Sequence, residues 1–266
     1  MSALTAAAAA TRSDLVVFTC TFYKSLDDVR FLVCLEFLAN AKRCGVRVVV
    51  VDASPDEAVR GAMRAAGAHA VTLQTAKGRK GAALREALAI ARALAADDGR
   101  AWLCWQEPEK ADMARLWARV IDGAPTLEVV VPARERLLFA ATYPAEQFHS
   151  ESFANAYLDL AAQKYGGTCV GFGDTLDWHF GPFALRAEHA DRWLANEGEL
   201  WDAQVVPIAR ALKDGLAVGG VEVPFVAPEA MKVEEENDFG FVEKRLMQIN
   251  FLDPKVIDAL KAPKGP

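Results

Sequence analysis

No stretch of the 266 residues stays apolar for the length of a membrane span, and the alanine tract "MSALTAAAAATRS" lacks the basic start and Leu-rich centre of a secretory signal. A soluble, cytoplasmic protein is the expectation. Basic residues are in deficit. Thirty Lys and Arg against 36 Asp and Glu leave a net charge of -6, which argues against a nucleic-acid partner, because phosphates call for a basic footprint. The five cysteines, Cys20, Cys34, Cys44, Cys104 and Cys169, are odd in number and contain no CxxC pair. Reduced core thiols are therefore expected, not a disulfide frame or a zinc site. No GxxxxGK[ST] spacing marks a P-loop and no GxGxxG follows a strand, which counts against a dinucleotide fold. No Gly/Ser/Pro linker, composition shift or internal repeat divides the chain. One domain over residues 14–260 is expected, between tails at 1–13 and 261–266.

What is present is an alternation of buried strands and helices. With 52% hydrophobic and 25% charged residues the chain can bury a full core. "LVVFTC" (15–20), "VRVVVV" (46–51), "AVTLQT", "AWLCW" and "LEVVVPAR" are apolar runs of strand length, and helical spacing fills the segments between them. Ser54, Pro55 and Glu57 form the pattern of a capping box ahead of "EAVRGAMRAAG". Uninterrupted apolar strands separated by helices indicate a doubly wound, mainly parallel sheet with helices on both faces. In the second half the pattern loosens. A polar helix is expected at 150–167, a Gly-rich turn at 170–174, a helix after Gly181 and Pro182, a late strand in "VGGVEVPFV", and an acidic loop in "VEEEND".

Open parallel sheets bind ligands beyond the carboxyl ends of their strands. Polar residues fall there repeatedly: "TFYKS" after the first strand, Asp52 after the second, "KGRKG" before the third helix, Glu107 and Glu109 after the fourth, and Arg134-Glu135-Arg136 after the fifth. In order and type this series resembles the GT-A glycosyltransferases, in particular the large inverting family that uses nucleotide-diphosphate sugars. The matching segments are "VVFTCTFYKS", "VVVVDASPD", "KGRKGAALREAL", "AWLCWQEPEK", "FGPFALR" and "ELWDAQVVPIARALKDG", over roughly residues 15 to 226. The resemblance implies a GT-A-like fold and transfer of a sugar from a UDP- or GDP-linked donor to a hydroxyl acceptor, a second sugar being one such acceptor. It implies donor contacts at Asp52, Lys77, Arg79, Lys80 and Arg134, and a general base at Asp202.

One position departs from that family. Where its members carry Asp-x-Asp, this chain has Glu107-Pro108-Glu109. Pro108 biases Glu107 towards an extended conformation, in which residues i and i+2 point the same way. Both carboxylates can then face one Mn²⁺ or Mg²⁺ bridging to a diphosphate. Pro108 is equally suited to open a helix, with acids favoured in its first turn. Each remaining candidate also has two readings. Asp52 holds a nucleoside or merely precedes a turn. The basic residues around Gly78 and Gly81 cradle a pyrophosphate or form a solvated loop. Asp202 is a base or a helix cap, with Pro207 five residues on expected to kink any helix begun there. His179 ligates the metal or is a satisfied structural histidine. Asp177, Trp178 and Trp201 are candidate acceptor contacts, an aromatic face and a carboxylate being the groups that hold a sugar. Lys244, Arg245 and Gln248 lie on a possible closing helix. Two rivals share the sheet type: a sugar-1-phosphate nucleotidyltransferase, for which the first loop lacks the expected glycines, and a non-catalytic domain that binds a glycan or a protein.

Overall fold

The computed structural model describes residues 14–95, 101–165, 175–236 and 238–264. The tail expected at 1–13, the Gly-rich turn at 170–174 and Cys169 lie outside them. The chain forms one mixed, seven-stranded sheet in the order β3-β2-β1-β4-β6-β5-β7. Its strands are β1 (Leu15–Thr21), β2 (Arg47–Asp52), β3 (Ala70–Leu73), β4 (Trp102–Trp105), β5 (Val129–Arg134), β6 (Phe183–Arg186) and β7 (Val218–Val223). All pairings are parallel except those of β6, which runs against β4 and β5 with Trp105 opposite Phe183 and Val130 opposite Ala184.

Among the described residues, ten helices cover the sheet: α1 (Val29–Arg43), α2 (Glu57–Ala66), α3 (Lys80–Leu94), α4 (Met113–Asp122), α5 (Arg136–Thr142), α6 (Ala145–Lys164), α7 (Ala190–Leu194), α8 (Asp202–Asp214), α9 (Glu229–Glu235) and α10 (Phe239–Lys261). The alternation of side chains along a strand explains the continuous apolar runs. Val16 and Phe18 of β1, with Val49, Val51, Leu103 and Trp105, pack under α3, α6, α8 and α10. Leu15 and Val17, with Val48, Val50, Trp102 and Cys104, pack under α1, α2 and α4. Each residue of these strands thus has a helix above or below it. Every large side chain so buried stabilises the fold by roughly 1.5–3 kcal/mol. Among the described residues, Cys20, Cys34, Cys44 and Cys104 form no disulfide, and no helix is long and apolar enough to cross a membrane.

Several local expectations change. The segment after Gly181 and Pro182 is the strand β6, followed by a short 3-10 turn and α7. Ser54 does not cap α2. Asp56 does, accepting from the Ala58 N–H at 2.8 Å, because the Ser54 hydroxyl is drawn inward to Asp52. Pro108 opens no helix, since α4 starts at Met113 after a run of turns. The first half of the acidic loop, residues 233–235, belongs to α9. α8 continues through Pro207.

Candidate functional site

The carboxyl ends of β1, β2 and β4 share a rim with the amino end of the reversed β6. Two adjoining cavities open there, of about 240 and 430 Å³, and Arg30, Lys80, Glu107 and Glu109 line both. Together they fall within the ~300–1,000 Å³ usual for small-molecule sites. The larger is a recess walled by Thr21, Phe22, Tyr23, Ala53, Gln74 and Gly78. The smaller reaches under α9 and α10, beside Trp201, Gln204, Lys232, Lys244 and Arg245.

Glu107 sits where the cavities meet. Its Oε1 accepts from Lys80 Nζ at 3.0 Å and Gln204 Nε2 at 2.8 Å, and its Oε2 accepts from Lys110 Nζ at 3.1 Å. Burial alone would raise this carboxyl. Lys110 and Lys80 beside it, with the Gln204 hydrogen bond, outweigh that and hold it well below the usual carboxylate range. Gly181 makes room for it. At φ +102° this residue occupies the left-handed region, and a Cβ there would lie 2.6 Å from Glu107 Oε2. Glu109 faces Arg30 at 3.7 Å.

This donor set does not fit a divalent cation. Both oxygens of Glu107 are taken by ammonium and amide donors, and His179 Nε2 is engaged by Asp253 at 3.2 Å. Among the described residues no group of three or more His, Cys, Asp or Glu side chains could hold a metal ion. In this geometry the expected trio does not converge: Glu107 pairs with Lys80 and Lys110, Glu109 faces Arg30, and His179 pairs with Asp253.

The other candidates divide sharply. Asp52 is fully buried and lines neither cavity. Its Oδ1 accepts from Thr21 Oγ1 at 2.8 Å and Ser54 Oγ at 2.6 Å, and its Oδ2 from Arg60 Nη1 at 2.9 Å. It braces the recess from beneath, and its neighbour Ala53 and Gln74 form the wall. Lys77 is exposed and outside both cavities, and Arg79 borders the recess. The amino end of α3 already holds an anion: Glu199 Oε2 accepts from the Arg79 N–H at 2.6 Å, and the Glu199 carbonyl from the Gly81 N–H at 3.1 Å. The two chains pass so closely that a Cβ on Gly81 would meet the Gly198 carbonyl at 1.9 Å. An internal carboxylate thus fills the place expected for a pyrophosphate.

Arg134 borders the smaller cavity, but its guanidinium is a clamp inside the protein. It forks onto Asp177 with two bonds of 2.7 Å, reaches Glu151 at 2.8 Å, and stacks 3.5 Å from the Phe139 ring centre. Asp177 is spent on this clamp and on Asn155, and Trp178 is buried with its indole N–H on Asp159 at 2.8 Å. Trp178 nevertheless borders the smaller cavity, and Trp201 stays at its wall, edge-on to Phe251. Asp202 begins α8 but turns away from both cavities. Its carboxylate pairs with Lys255 and accepts from the Leu200 N–H at 2.9 Å. Burial would raise this carboxyl, and Lys255 with the Leu200 bond lowers it. A base poised over the cleft is not what this geometry offers at Asp202.

Arg30, Lys110 and Gln204 complete the site and were not singled out in the sequence. Lys110 carried a signal, since it follows Glu107 by three residues in the same strand-end segment. Lys244 and Arg245 line the smaller cavity from α10. Burial and the neighbouring Arg245 hold the Lys244 ammonium below its usual range.

The topology and the rim site define a GT-A-like glycosyltransferase fold. Among solved structures, glucosyl-3-phosphoglycerate synthase from Mycobacterium tuberculosis bound to phosphoglyceric acid is similar, with a TM-score of 0.57 and 14% identity, over 94% of this chain and 80% of that one. The same enzyme with Mn²⁺, UDP-glucose and phosphoglyceric acid matches with a TM-score of 0.56 and 14% identity over the same shares. A further mycobacterial protein matches with a TM-score of 0.60 and 14% identity, over 94% of this chain and 75% of that one. No protein-family model and no curated protein matches the sequence.

Proposed function

We propose that the protein is a glycosyltransferase that moves a sugar from a nucleotide-diphosphate donor, UDP- or GDP-linked, to a hydroxyl acceptor. The observation that carries this reading is the cationic cleft at the sheet's carboxyl rim. Although the chain is acidic overall, the smaller cavity is lined by seven Lys and Arg side chains against four Glu. Such a concentration draws in anions. The nucleoside fits the recess beside Thr21, Ala53 and Gln74, the diphosphate lies over Lys80 and Lys110, and the sugar and acceptor take the cavity beside Trp201 and Gln204. In transfer, the acceptor oxygen bonds to the anomeric carbon as that carbon's bond to the diphosphate breaks. The hydroxyl proton goes to a base, and the electron pair leaves with the nucleoside diphosphate. Fixed cations at the diphosphate stabilise that departing charge.

Calorimetric titration with UDP and GDP, followed by measurement of donor consumption with a panel of hydroxyl acceptors, tests the reading. Saturable binding of one nucleotide and release of nucleoside diphosphate are expected. Absence of nucleotide binding under every condition defeats it. The burial of Asp177 and Asp202 in ion pairs favours a second reading, a domain that holds a nucleotide sugar or glycan without turnover. Tight binding with no consumption of any donor would select it.

A further inference from the structure

We propose that this cleft binds its nucleoside diphosphate without a divalent cation, through the two ammonium groups that Glu107 holds side by side. The inference rests on the donor reading above and concerns the same cleft. It starts from the charge balance at the junction of the cavities. A divalent ion on two carboxylates is neutral overall and would hold a diphosphate through its open coordination positions. Here two ammonium groups share one carboxylate, and one positive charge remains. A metal that bound Glu107 would have to displace both lysines and then lie beside them as a like charge.

The lysines are placed as ligands for an anion. Each ammonium has three N–H donors. The contacts to Glu107 and Gln204 use one on Lys110 and at most two on Lys80. Both side chains remain partly exposed, at 28% and 20%, with their ammonium groups over aromatic rings. Lys80 Nζ is 5.6 Å from the Trp105 ring centre, and Lys110 Nζ is 5.6 Å from that of Phe180. Lys80 is also the first residue of α3, where the helix dipole disfavours a cation and no acid of the first turn compensates. Glu107 is what holds it there. The third element is Gly181, which lets the backbone press against Glu107 Oε2 and fixes the carboxylate between the two cations.

The test uses the full-length protein stripped with EDTA. UDP and GDP are titrated by calorimetry in EDTA and again with added Mn²⁺, for the wild type and for Lys80→Met, Lys110→Met and Glu107→Gln. Circular dichroism and the urea midpoint establish that each variant is folded. The nucleotide that binds is expected to do so with the same Kd in both buffers, within about threefold, and each lysine variant to weaken metal-free binding by about tenfold or more, the scale of one lost charge-assisted contact. Glu107→Gln loosens the two lysines and is expected to weaken binding to the same extent in EDTA and in Mn²⁺, whereas a metal ligand at that position would make the loss appear only with Mn²⁺. Binding that requires Mn²⁺, or a metal-free Kd unchanged in both lysine variants, overturns the proposal. Failure of both nucleotides in both buffers is a different result: it defeats the donor reading, and this inference falls with it.

Discussion

Replacing Arg134 with Met separates a structural clamp from a donor contact. The guanidinium is 1% exposed, makes two 2.7 Å bonds to Asp177, lies 2.8 Å from Glu151, and stacks on Phe139. Removing it leaves two buried carboxylates facing each other, and breaking a buried pair in this way costs about 3–5 kcal/mol. Methionine retains much of the aliphatic stem, so little of the loss is cavity. At roughly 2–4 °C per kcal/mol for a domain somewhat smaller than this one, the melting temperature should fall by some 6–20 °C. Urea denaturation followed by tryptophan fluorescence measures it directly. The pH dependence carries the sign. Burial raises the Asp177 carboxyl, but Arg134 and its hydrogen bonds outweigh that and hold it below its ordinary value. Its stabilising contribution is therefore present above the unfolded carboxyl's pKa and is lost as pH falls through the depressed folded value. In the Met variant Asp177 keeps only the residue-134 backbone N–H and Asn155 against its burial, so protonation relieves it. The gap between wild type and variant should be widest near neutrality and shrink in acid. A variant within about 1 kcal/mol of wild type at pH 7, below the range for a broken buried pair, would refute this account and return Arg134 to the ligand.

Three further outcomes follow from the same geometry. Burial, assisted by Asp177, pushes the Asp159 carboxyl up to about 6 despite hydrogen bonds from Trp178 and Leu176. A raised folded value favours folding in acid and opposes it once pH exceeds that value, so Asp159→Asn should gain about 1–3 kcal/mol at pH 8 and nothing near pH 3. Urea titrations at the two pH values check it, and a loss at pH 8 contradicts it. Gly181→Ala combines a left-handed φ with a clash on Glu107 and should cost about 1–3 kcal/mol, with weakened nucleotide binding by calorimetry. Asp202→Asn should leave the transfer rate within about threefold, well short of the ~10²–10⁴-fold carried by a general base. A hundredfold loss in a donor-consumption assay would place a base there after all.

The parts of the fold legible in the sequence were those whose residues are buried on both sides. β1, β2, β4 and β5 declare themselves as unbroken apolar runs because helices cover both faces of the sheet. β6 was hidden. Its four residues gain strand geometry only by inserting between β4 and β5, and the Ala-, Glu- and Trp-rich segment after it is a good helix former. Ser54 and Asp56 are both competent caps, and the choice was made by Asp52, which claims the Ser54 hydroxyl. At the site, strand-end position predicted that Lys80, Glu107 and Glu109 reach the cleft, but residue type could not reveal which way a carboxylate turns. Asp52, Asp177 and Asp202 each found a cation within the protein, at Arg60, Arg134 and Lys255. Arg30 and Gln204 arrive from α1 and α8, so only the folded chain brings them to Glu109 and Glu107.

The reversed direction of β6 determines which mutations the cleft will feel. Because the strand runs downhill relative to its neighbours, the chain furnishes the binding edge before it enters β6 and departs at the opposite edge after Arg186. Residues 179–181 thus line the smaller cavity, while the turn at 187–189 lies a strand's length away. Loop insertions beyond Arg186 can vary without disturbing specificity, whereas a single added residue ahead of Phe183 would shift the wall itself.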